Sequence, residues 1–296
     1  MALVTSPHLD TIHQLFTPLQ PTVSGDAGVV RYVEQQPDLR LAPLIHCYWQ
    51  LASHQPLTQP FVYRVVADGC IDLFFDLISP DDVFVMGLST TYTEFPLAGP
   101  FNYVGVRFLP TAFPLLYHVD ASELTNRVEA FRDVVPTAAA PFTNLIGGHT
   151  TLESLKSRLD GYFIDRFTAA SLTPDRRLFG AIAAILTGGG QLNVLSDLDA
   201  AVSHRQLSRL FQRYVGDTPK VFSRIVRFQQ LLNAKPSVQA LQQNKVFYDL
   251  GYYDQAHFIK EFKTLYGQTP GSVLSGEATP GEATPGSAAQ ADGQHP

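Results

Sequence analysis

The chain has 296 residues, of which 45% are hydrophobic and 16% are charged, and its formal net charge is −6. This length and composition predict a globular protein of about two domains, and the lack of an apolar run of about eighteen residues excludes an ordinary membrane-spanning helix. The start, Met1-Ala-Leu-Val-Thr, lacks the basic and apolar regions of a signal peptide. Cys47 and Cys70 make no disulfide framework, so we expect two free, buried thiols and a cytoplasmic protein.

Charge is divided unevenly along the chain. Residues 1–173 contain 9 basic and 17 acidic residues, whereas residues 174–274 contain 12 basic and 7 acidic ones. A basic segment attached to an acidic one suits electrostatic attraction to a phosphate backbone. We therefore expect any nucleic-acid contact to lie in residues 174–274.

The N-terminal part is predicted to be rich in β-structure. Residues 1–27 show no clear periodicity and predict a loosely ordered lead-in with one short helix. From residue 28 to residue 120, short runs of β-branched and aromatic residues alternate with turn residues, which predicts an antiparallel barrel or sandwich. The predicted strands are residues 45–51, 61–66, 71–78, 83–86 and 103–108.

Three of these segments carry a family resemblance. Leu44-Ile-His-Cys-Tyr-Trp49, the stretch from Arg64 to Phe74 and Gly105-Val-Arg-Phe-Leu-Pro110 resemble a functionally uncharacterised domain found ahead of DNA-binding domains. Members of that family are similar to cupin-like sensor barrels. The resemblance covers about residues 28–135, and Ala67 and Thr111 stand where the family usually has Pro and Gly. It implies a fold and names no ligand.

The same region supplies candidates for a ligand pocket. Aromatic side chains and arginines could line a cavity in which Arg64 or Arg107 meets an anionic ligand. The alternative is that the rings form the core and the arginines pair with Asp68 or Asp72. The candidate ligand-binding residues are Trp49, Tyr63, Arg64, Phe74, Met86, Tyr92, Arg107 and Phe108.

No catalytic pattern is found. The Gly188-Gly-Gly190 run is not followed by the Lys-Ser/Thr of a phosphate loop. Three histidines lack the ligand spacing of a cupin metal site; they are His46, His54 and His118. Three aspartates alternate onto one strand face, which is either a site or an exposed face with turn caps; they are Asp68, Asp72 and Asp76. We predict no enzymatic activity, no cofactor and no metal.

Residues 121–172 return to helical periodicity. Residues 121–131 predict one short helix. Residues 152–167 predict a longer one with a single apolar face, formed by Leu152, Leu155, Leu159, Phe163 and Phe167. We expect this segment to link the two domains and to be the place where the protein dimerises. Thr173-Pro174-Asp175 then predicts the start of another helix at Arg176.

A repeat organises the C-terminal part. Leu-Ser-Arg-Leu-Phe-Gln-Arg-Tyr-Val-Gly-Asp-Thr-Pro at 207–219 recurs 51 residues later as Phe-Ile-Lys-Glu-Phe-Lys-Thr-Leu-Tyr-Gly-Gln-Thr-Pro at 258–270. Ser203 and Asp254 stand at equivalent N-cap positions, and Gly216 and Gly267 supply the left-handed residue that ends a helix. The sequence therefore predicts the same short helix twice, with a linking helix that starts at Pro219.

This repeat resembles a known DNA-binding domain. Gly-Tyr-Tyr-Asp-Gln-Ala-His-Phe-Ile-Lys-Glu-Phe at 251–262, followed by Tyr-Gly-Gln-Thr-Pro at 266–270, is similar to the signature of AraC/XylS-type transcription regulators. These carry two helix-turn-helix units joined by a long helix. The resemblance covers about residues 175–274, with Ala200 where the first unit usually has Gly. It implies double-stranded DNA as a partner, control by a small-molecule effector or by dimerisation, a homodimer, and contact with RNA polymerase.

The polar faces of the two helices are the expected contact surface. Arg, Lys, Gln and Ser are side chains that read base edges or hold phosphates, although any surface helix carries some charge. The expected DNA-binding residues are Ser203, His204, Arg205, Gln206, Ser208, Arg209, Gln212, Arg213, Lys220, Arg224, Asp254, Gln255, His257, Lys260 and Lys263.

The predicted fold class is α+β, a β-rich, cupin-like barrel or sandwich followed by an all-α double helix-turn-helix domain. The predicted parts are a lead-in (1–27), a β-rich sensor domain (28–120), a helical linking and dimerisation segment (121–172), a DNA-binding domain (173–274) and a disordered tail (275–296), which repeats Glu-Ala-Thr-Pro-Gly. The predicted function is sequence-specific transcription regulation. The alternative is a ligand-binding or enzymatic barrel whose C-terminal helices do not read DNA.

Overall fold

The computed structural model of the chain describes residues 7–21, 25–27, 29–53, 55, 57, 60–148, 151–170, 172, 175–191, 203–234, 236, 248 and 251–274. Within these ranges no helix has the length and hydrophobicity that crossing a membrane requires. The predictions for Thr173, Pro174, Ala200 and the tail lie outside the described residues.

Antiparallel strands dominate the N-terminal part. Seven of them form one sheet in the order β1-β2-β3-β8-β5-β6-β9, and β4 pairs with β7 in a second, two-stranded sheet. The strands are β1 (Gly25–Ala27), β2 (Val30–Gln35), β3 (Ile45–Ser53), β4 (Phe61–Val65), β5 (Ile71–Asp76), β6 (Val83–Met86), β7 (Thr93–Leu97), β8 (Phe101–Phe108) and β9 (Val128–Ala130). The predicted β-rich domain is confirmed, and the five predicted strands correspond to β3, β4, β5, β6 and β8.

Residues 121–131 do not form the single helix that their pattern predicts. A short 3-10 helix, Ala121–Glu123, is followed by β9 and by helix α3 (Phe131–Val134). Asn126 has φ 59°, a left-handed conformation that interrupts a right-handed helix. Beyond it the chain pairs with the edge of β6, with Val85 opposite Glu129. The sheet therefore extends past residue 120, the predicted end of the β-rich domain.

The lead-in is more ordered than predicted. Its expected short helix is α1 (Pro7–Leu15), and residues 7–21 are not loose, because Leu9, Ile12 and Phe16 are buried in the main core. Helix α1 packs against α6 (Arg176–Thr187), and the Phe16 ring lies 6.1 Å from the ring of Phe222. The N-terminal segment therefore joins the C-terminal helices to the rest of the molecule.

Three further helices cover one side of the sheet: α2 (Ala112–Tyr117), α4 (Pro136–Ile146) and α5 (Leu152–Ala169). All five apolar residues of the α5 face are buried in the main core. The Phe163 ring, for example, meets the ring of Phe108 on β8 at 5.4 Å. The expectation that this face makes a dimer is therefore wrong, since the face is covered by the chain's own sheet and helices.

The C-terminal helices follow the repeat closely. They are α6, which Asp175 caps, α7 (His204–Val215), α8 (Pro219–Ala234), α9 (Gln255–Tyr266) and α10 (Pro270–Leu274). Ser203 and Asp254 cap α7 and α9 as predicted, and Gly216 and Gly267 end them with φ 115° and 94°. The predicted duplicated helix and its linking helix are confirmed.

The C-terminal helices share their core with the N-terminal part. Leu207, Phe211 and Phe222 belong to the same buried cluster as strands β3, β5 and β8. A second cluster joins Phe228 and Phe262 to Val66, Ala67 and Leu88 of the β-rich part. The positions of α7, α8 and α9 are therefore tied to the sheet by apolar packing.

Candidate nucleic-acid interface and ligand groove

Helix α7 presents a polar face to solvent. The Ser203 side chain accepts a hydrogen bond from the Gln206 backbone amide, and the Gln206 side chain accepts one from the Ser203 backbone, a capping box that fixes where the helix starts. Arg205 and Arg209 are exposed, whereas Leu207 is buried. The apolar stripe thus turns the arginines outward, as the pattern predicts.

Helix α9 is built in the same way. Asp254 accepts a hydrogen bond from the His257 backbone amide at 2.7 Å, so its side chain serves the helix start. Gln255, His257, Lys260 and Lys263 are exposed, while Phe258 and Phe262 are buried. Helices α7 and α9 therefore expose equivalent faces, and we call them the recognition helices after the position that each holds in a predicted helix-turn-helix unit.

A groove of about 820 Å³, which we call the basic groove, lies between the two recognition helices and α8. It contains four permanently charged cations and one carboxylate, a balance that favours an anionic partner. Its lining is Gly190, His204, Leu207, Ser208, Thr218, Pro219, Lys220, Ser223, Arg224, Arg227, His257, Lys260, Glu261 and Thr264.

Glu261 fastens α9 to α8. Its carboxylate accepts hydrogen bonds from Arg224 Nε at 2.8 Å and from Arg227 Nη2 at 2.9 Å. The Arg227 guanidinium also lies 4.4 Å from the centre of the Tyr252 ring. Arg224, a predicted DNA contact, is therefore engaged in an ion pair, and Arg227 was not predicted although its spacing of three from Arg224 puts both on one face of α8.

The structure brings together six of the fifteen predicted DNA-binding residues in the basic groove: His204, Ser208, Lys220, Arg224, His257 and Lys260. Ser203, Gln206 and Asp254 lie at the helix starts as caps. The remaining six stand outside the groove on the exposed faces of α7 and α9; they are Arg205, Arg209, Gln212, Arg213, Gln255 and Lys263.

The segment that follows β6 touches the end of each recognition helix. Leu88 and Thr125 lie against Gly216, where a Cβ would approach to 2.9 Å and 2.8 Å, and Thr125 Oγ1 donates a hydrogen bond to the Gly216 carbonyl. The Tyr92 ring lies against Gly267, and the Tyr92 amide donates to Thr264 O at 3.1 Å. Residues 87–92 therefore contact both recognition helices.

A second groove, of about 940 Å³, lies between the two sheets, and we call it the aromatic groove. Strands β3, β5, β6 and β8 form one side, and β4 and β7 form the other. Its lining is Trp49, Leu51, Tyr63, Val65, Asp72, Phe74, Asp82, Phe84, Met86, Phe95, Leu97, Tyr103, Arg107, Val128, Glu129, Ala130, Arg132 and Asp133.

Arg107 lies at the base of this groove and is 1% exposed. Its guanidinium meets Asp72 at 2.9 Å and Asp68 at 3.2 Å, and Asp72 also accepts a hydrogen bond from Trp49 Nε1 at 2.9 Å. Asp68 and Asp72 are thus not an exposed strand face, although Asp68 and Asp76 do cap turns by accepting hydrogen bonds from the amides of Cys70 and Ile78. Arg107 Nη1 and the Tyr63 hydroxyl are buried without a hydrogen-bond partner in the described structure, so both are available to a ligand.

Five of the eight predicted ligand-binding residues line the aromatic groove: Trp49, Tyr63, Phe74, Met86 and Arg107. The other three lie elsewhere. Phe108 is buried in the main core, Arg64 forms a 2.6 Å ion pair with Glu94, and Tyr92 lies against α9. The predicted pairing of arginine with Asp68 and Asp72 is found at Arg107.

The two cysteines and His46 lie in the β-rich part, close to Arg107. Cys47 and Cys70 are free and buried, as predicted. Burial raises the pKa of both thiols, and burial together with the charge of Arg107 lowers the pKa of His46 to about 4. His46 is therefore neutral near pH 7.

Comparison with known protein families identifies two domains in the chain. Residues 199–275 match the family model of a helix-turn-helix domain, and residues 33–130 match that of a domain of unknown function, DUF6597. No curated protein matches the chain by sequence.

Three solved structures of ToxT from Vibrio cholerae are distantly similar to the chain. An apo variant from strain SCE256 has 10% identity and TM-score 0.37, covering 85% of this chain and 99% of its own. A 1.65 Å structure has 11% identity and TM-score 0.38, covering 83% and 97%. The unsaturated fatty acid-bound wild type has 10% identity and TM-score 0.38, covering 85% and 96%. These likenesses are too distant to support an inference about either groove. On the family matches, the chain joins a DUF6597 domain at residues 33–130 to an AraC-type helix-turn-helix domain at residues 199–275.

Proposed function

We propose that a single chain reads an asymmetric DNA site with two short boxes about one helical turn apart. The observation that carries this proposal is the pair of equivalently capped helices, α7 and α9, which both pack on one linking helix, α8. Helix α8 has 16 residues and is therefore about 24 Å long. Successive major grooves on one face of a duplex lie about 34 Å apart, which is the separation that this proposal requires of the two helices on DNA.

Arg209 is assigned a base contact in the first box, because it is exposed on the face opposite the apolar stripe. A bidentate arginine–guanine contact contributes about 1–3 kcal/mol of discrimination. Arg209→Ala is therefore expected to relax sequence preference at one base pair. Selection from a randomised site library measures this. Arg158→Ala, which removes an exposed arginine from α5, is the control, and an unchanged preference in Arg209→Ala would contradict the assignment.

Lys263 is assigned a phosphate contact, since it lies in the last turn of α9, away from the helix start. Lys263→Ala is expected to weaken binding to all sequences alike and to make the salt dependence of the binding constant shallower by about one phosphate contact. Titrations at several salt concentrations measure the slope. A slope that matches that of the unsubstituted protein would remove Lys263 from the interface.

We further propose that a small molecule in the aromatic groove controls DNA binding. Phe84 and Met86 of β6 line this groove, and β6 leads directly into residues 87–92, which contact the ends of both recognition helices. A ligand that shifts β6 can therefore change how α7 and α9 are held relative to each other. The ligand class that the sequence suggested, an anion at Arg107, is less favourable than expected, because Asp68 and Asp72 already balance the guanidinium.

Trp49 is the single tryptophan of the chain and lines the aromatic groove, so its fluorescence reports on this groove alone. Aromatic compounds that quench it are expected to change DNA affinity. Tyr92→Ala removes the ring that lies against Gly267 and is expected to keep the quenching but lose the change in affinity. Parallel fluorescence and DNA-binding titrations test this, and an undiminished ligand effect in Tyr92→Ala would contradict the proposed route.

Homodimerisation, contact with RNA polymerase and a cytoplasmic location stay predictions. A dimer would have to use a surface other than the α5 face, which is buried. The competing hypothesis of a ligand-binding or enzymatic barrel differs in salt dependence, because only DNA binding weakens steeply as salt rises.

A further inference from the structure

Two neighbouring residues of β3 point toward the same place. Ile45 pairs with Phe108 and Cys47 pairs with Arg107, so His46 is an extra residue opposite a single step of β8. Successive side chains of a regular strand point to opposite faces, and a bulge of this kind removes that alternation. The imidazole of His46 and the thiol of Cys47 consequently come close to each other.

Glu34 completes the group from the adjacent strand. It pairs with Trp49, which puts it on the same face as Cys47, two residues before Trp49 in β3. One donor atom from each of Glu34, His46 and Cys47 lies within 4.8 Å of the other two. Donors around a tetrahedral zinc ion, with bonds of about 2.0–2.3 Å, stand about 3.3–3.8 Å apart. Side-chain rotations that move each donor atom by about 1 Å would therefore let all three bind one ion.

The chemistry of the three donors selects the kind of ion. Thiolate and imidazole are soft or borderline ligands that favour zinc and related transition metals, whereas magnesium and calcium prefer oxygen ligands alone. Three protein ligands leave a fourth coordination position open. The Glu34 side chain is 35% exposed, which provides a path from solvent, while Cys47 is fully buried.

The surroundings of the three donors suit a cation. The Tyr32 hydroxyl donates a 2.6 Å hydrogen bond to Glu34 Oε1 and so orients the carboxylate, as outer partners of metal ligands do. Near it, the three carboxylates of Glu34, Asp68 and Asp72 face one guanidinium, that of Arg107. A divalent ion offsets this excess of negative charge. Arg107 Nη1 is buried without a hydrogen bond, 3.7 Å from Glu34 Oε1, and a Cys47 thiolate would offer it an acceptor.

We propose that Glu34, His46 and Cys47 form a binding site for one divalent transition metal ion of the zinc class. The site stands beside the aromatic groove, since Cys47 and Trp49 share a face of β3. It is separate from the DNA-binding helices, so it does not depend on the function proposed above.

Untagged full-length protein tests the proposal. After equilibration with Zn²⁺ and dialysis, elemental analysis is expected to find one zinc per chain. Titration with Co²⁺ is expected to produce the thiolate-to-cobalt charge-transfer absorption that only sulfur ligation gives. Cys47→Ser should abolish that absorption, and Glu34→Gln, at an exposed position that puts folding at little risk, should weaken Co²⁺ binding by at least about tenfold.

Cys70→Ser is the matched control, because Cys70 is the other free, buried thiol and is not one of the three clustered donors. It is expected to leave the Co²⁺ spectrum unchanged. The proposal is overturned if the unsubstituted protein retains no zinc, if its Co²⁺ spectrum lacks the sulfur band, or if Cys70→Ser removes that band. The first two results need no variant, so the test stands even where Cys47→Ser does not fold.

Discussion

Arg107→Met is expected to lower the free energy of unfolding by about 3–5 kcal/mol, the usual cost of removing one member of a buried ion pair. Methionine has a similar length and keeps much of the packing. What it removes is the only positive charge among those described that meets both Asp68 and Asp72, at 3.2 Å and 2.9 Å. Two buried carboxylates are then left without their partner, and urea denaturation followed by circular dichroism measures the loss.

Arg64→Met is the matched control for this substitution. Arg64 lies in the same part of the chain and pairs with Glu94 at 2.6 Å, but the Glu94 side chain is 40% exposed. Water therefore screens this pair, and its loss is expected to cost no more than about 1 kcal/mol. Equal losses in Arg64→Met and Arg107→Met would show that burial does not set the difference.

A double substitution tests whether the unpaired carboxylate causes the loss of stability in Arg107→Met. Adding Asp72→Asn to Arg107→Met removes one of the abandoned charges while keeping the shape of the side chain. The double variant is expected to be more stable than Arg107→Met alone, because an amide costs less to bury than an unpaired carboxylate. If the two substitutions simply add, the carboxylate is not the source of the loss.

The C-terminal helices could be predicted from the sequence because their signals are local. Each helix is marked by a cap at Ser203 or Asp254, an apolar stripe and a terminal glycine. These three signals lie within fifteen residues of one another and occur in both copies of the repeat. The outward direction of Arg209 follows from the same stripe. Such features need no knowledge of what the helix packs against.

The features that the sequence pattern missed depend on distant partners. Helix α1 is ordered because it packs against α6, which lies more than 160 residues later in the sequence, and buries Leu9 and Ile12. Strand β9 forms where a helix was predicted, because β6 offers an edge for pairing. In both cases a tertiary contact decides the outcome, and the local pattern alone does not contain it.

Of the two N-terminal sites, the aromatic groove could be predicted in part from the sequence, whereas the group of metal donors could not. Five of eight predicted groove residues were found because aromatic side chains and arginines in strands of the β-rich part are typical of a pocket lining. The donor group of Glu34, His46 and Cys47 gives no such signal, since neighbouring residues on a strand are expected to diverge. Only the bulge in β3, which shows in the pairing with β8, brings His46 and Cys47 together.

The effect expected to be largest on DNA binding comes from changing the site instead of the protein. Inserting five base pairs between the two boxes turns the second box to the opposite face of the duplex, because one turn takes about 10–10.5 base pairs. Helix α9 cannot follow, since Glu261 holds it to Arg224 and Arg227, and Tyr92 holds its other end. Loss of only two base contacts of about 1–3 kcal/mol each would weaken binding at least about thirtyfold.

A ten-base-pair insertion distinguishes a rigid pair of helices from a flexible one. It returns the second box to the original face but moves it about 34 Å further along the duplex. A pair fixed on α8 cannot span this distance, so affinity is expected to stay as low as with five base pairs. Recovery at ten would mean that the packing of Phe262 on Phe228, with ring centres 5.5 Å apart, opens on DNA. Footprints that cover one box in every case would show that α9 does not read DNA, whereas two protected boxes at the original spacing alone support the rigid arrangement.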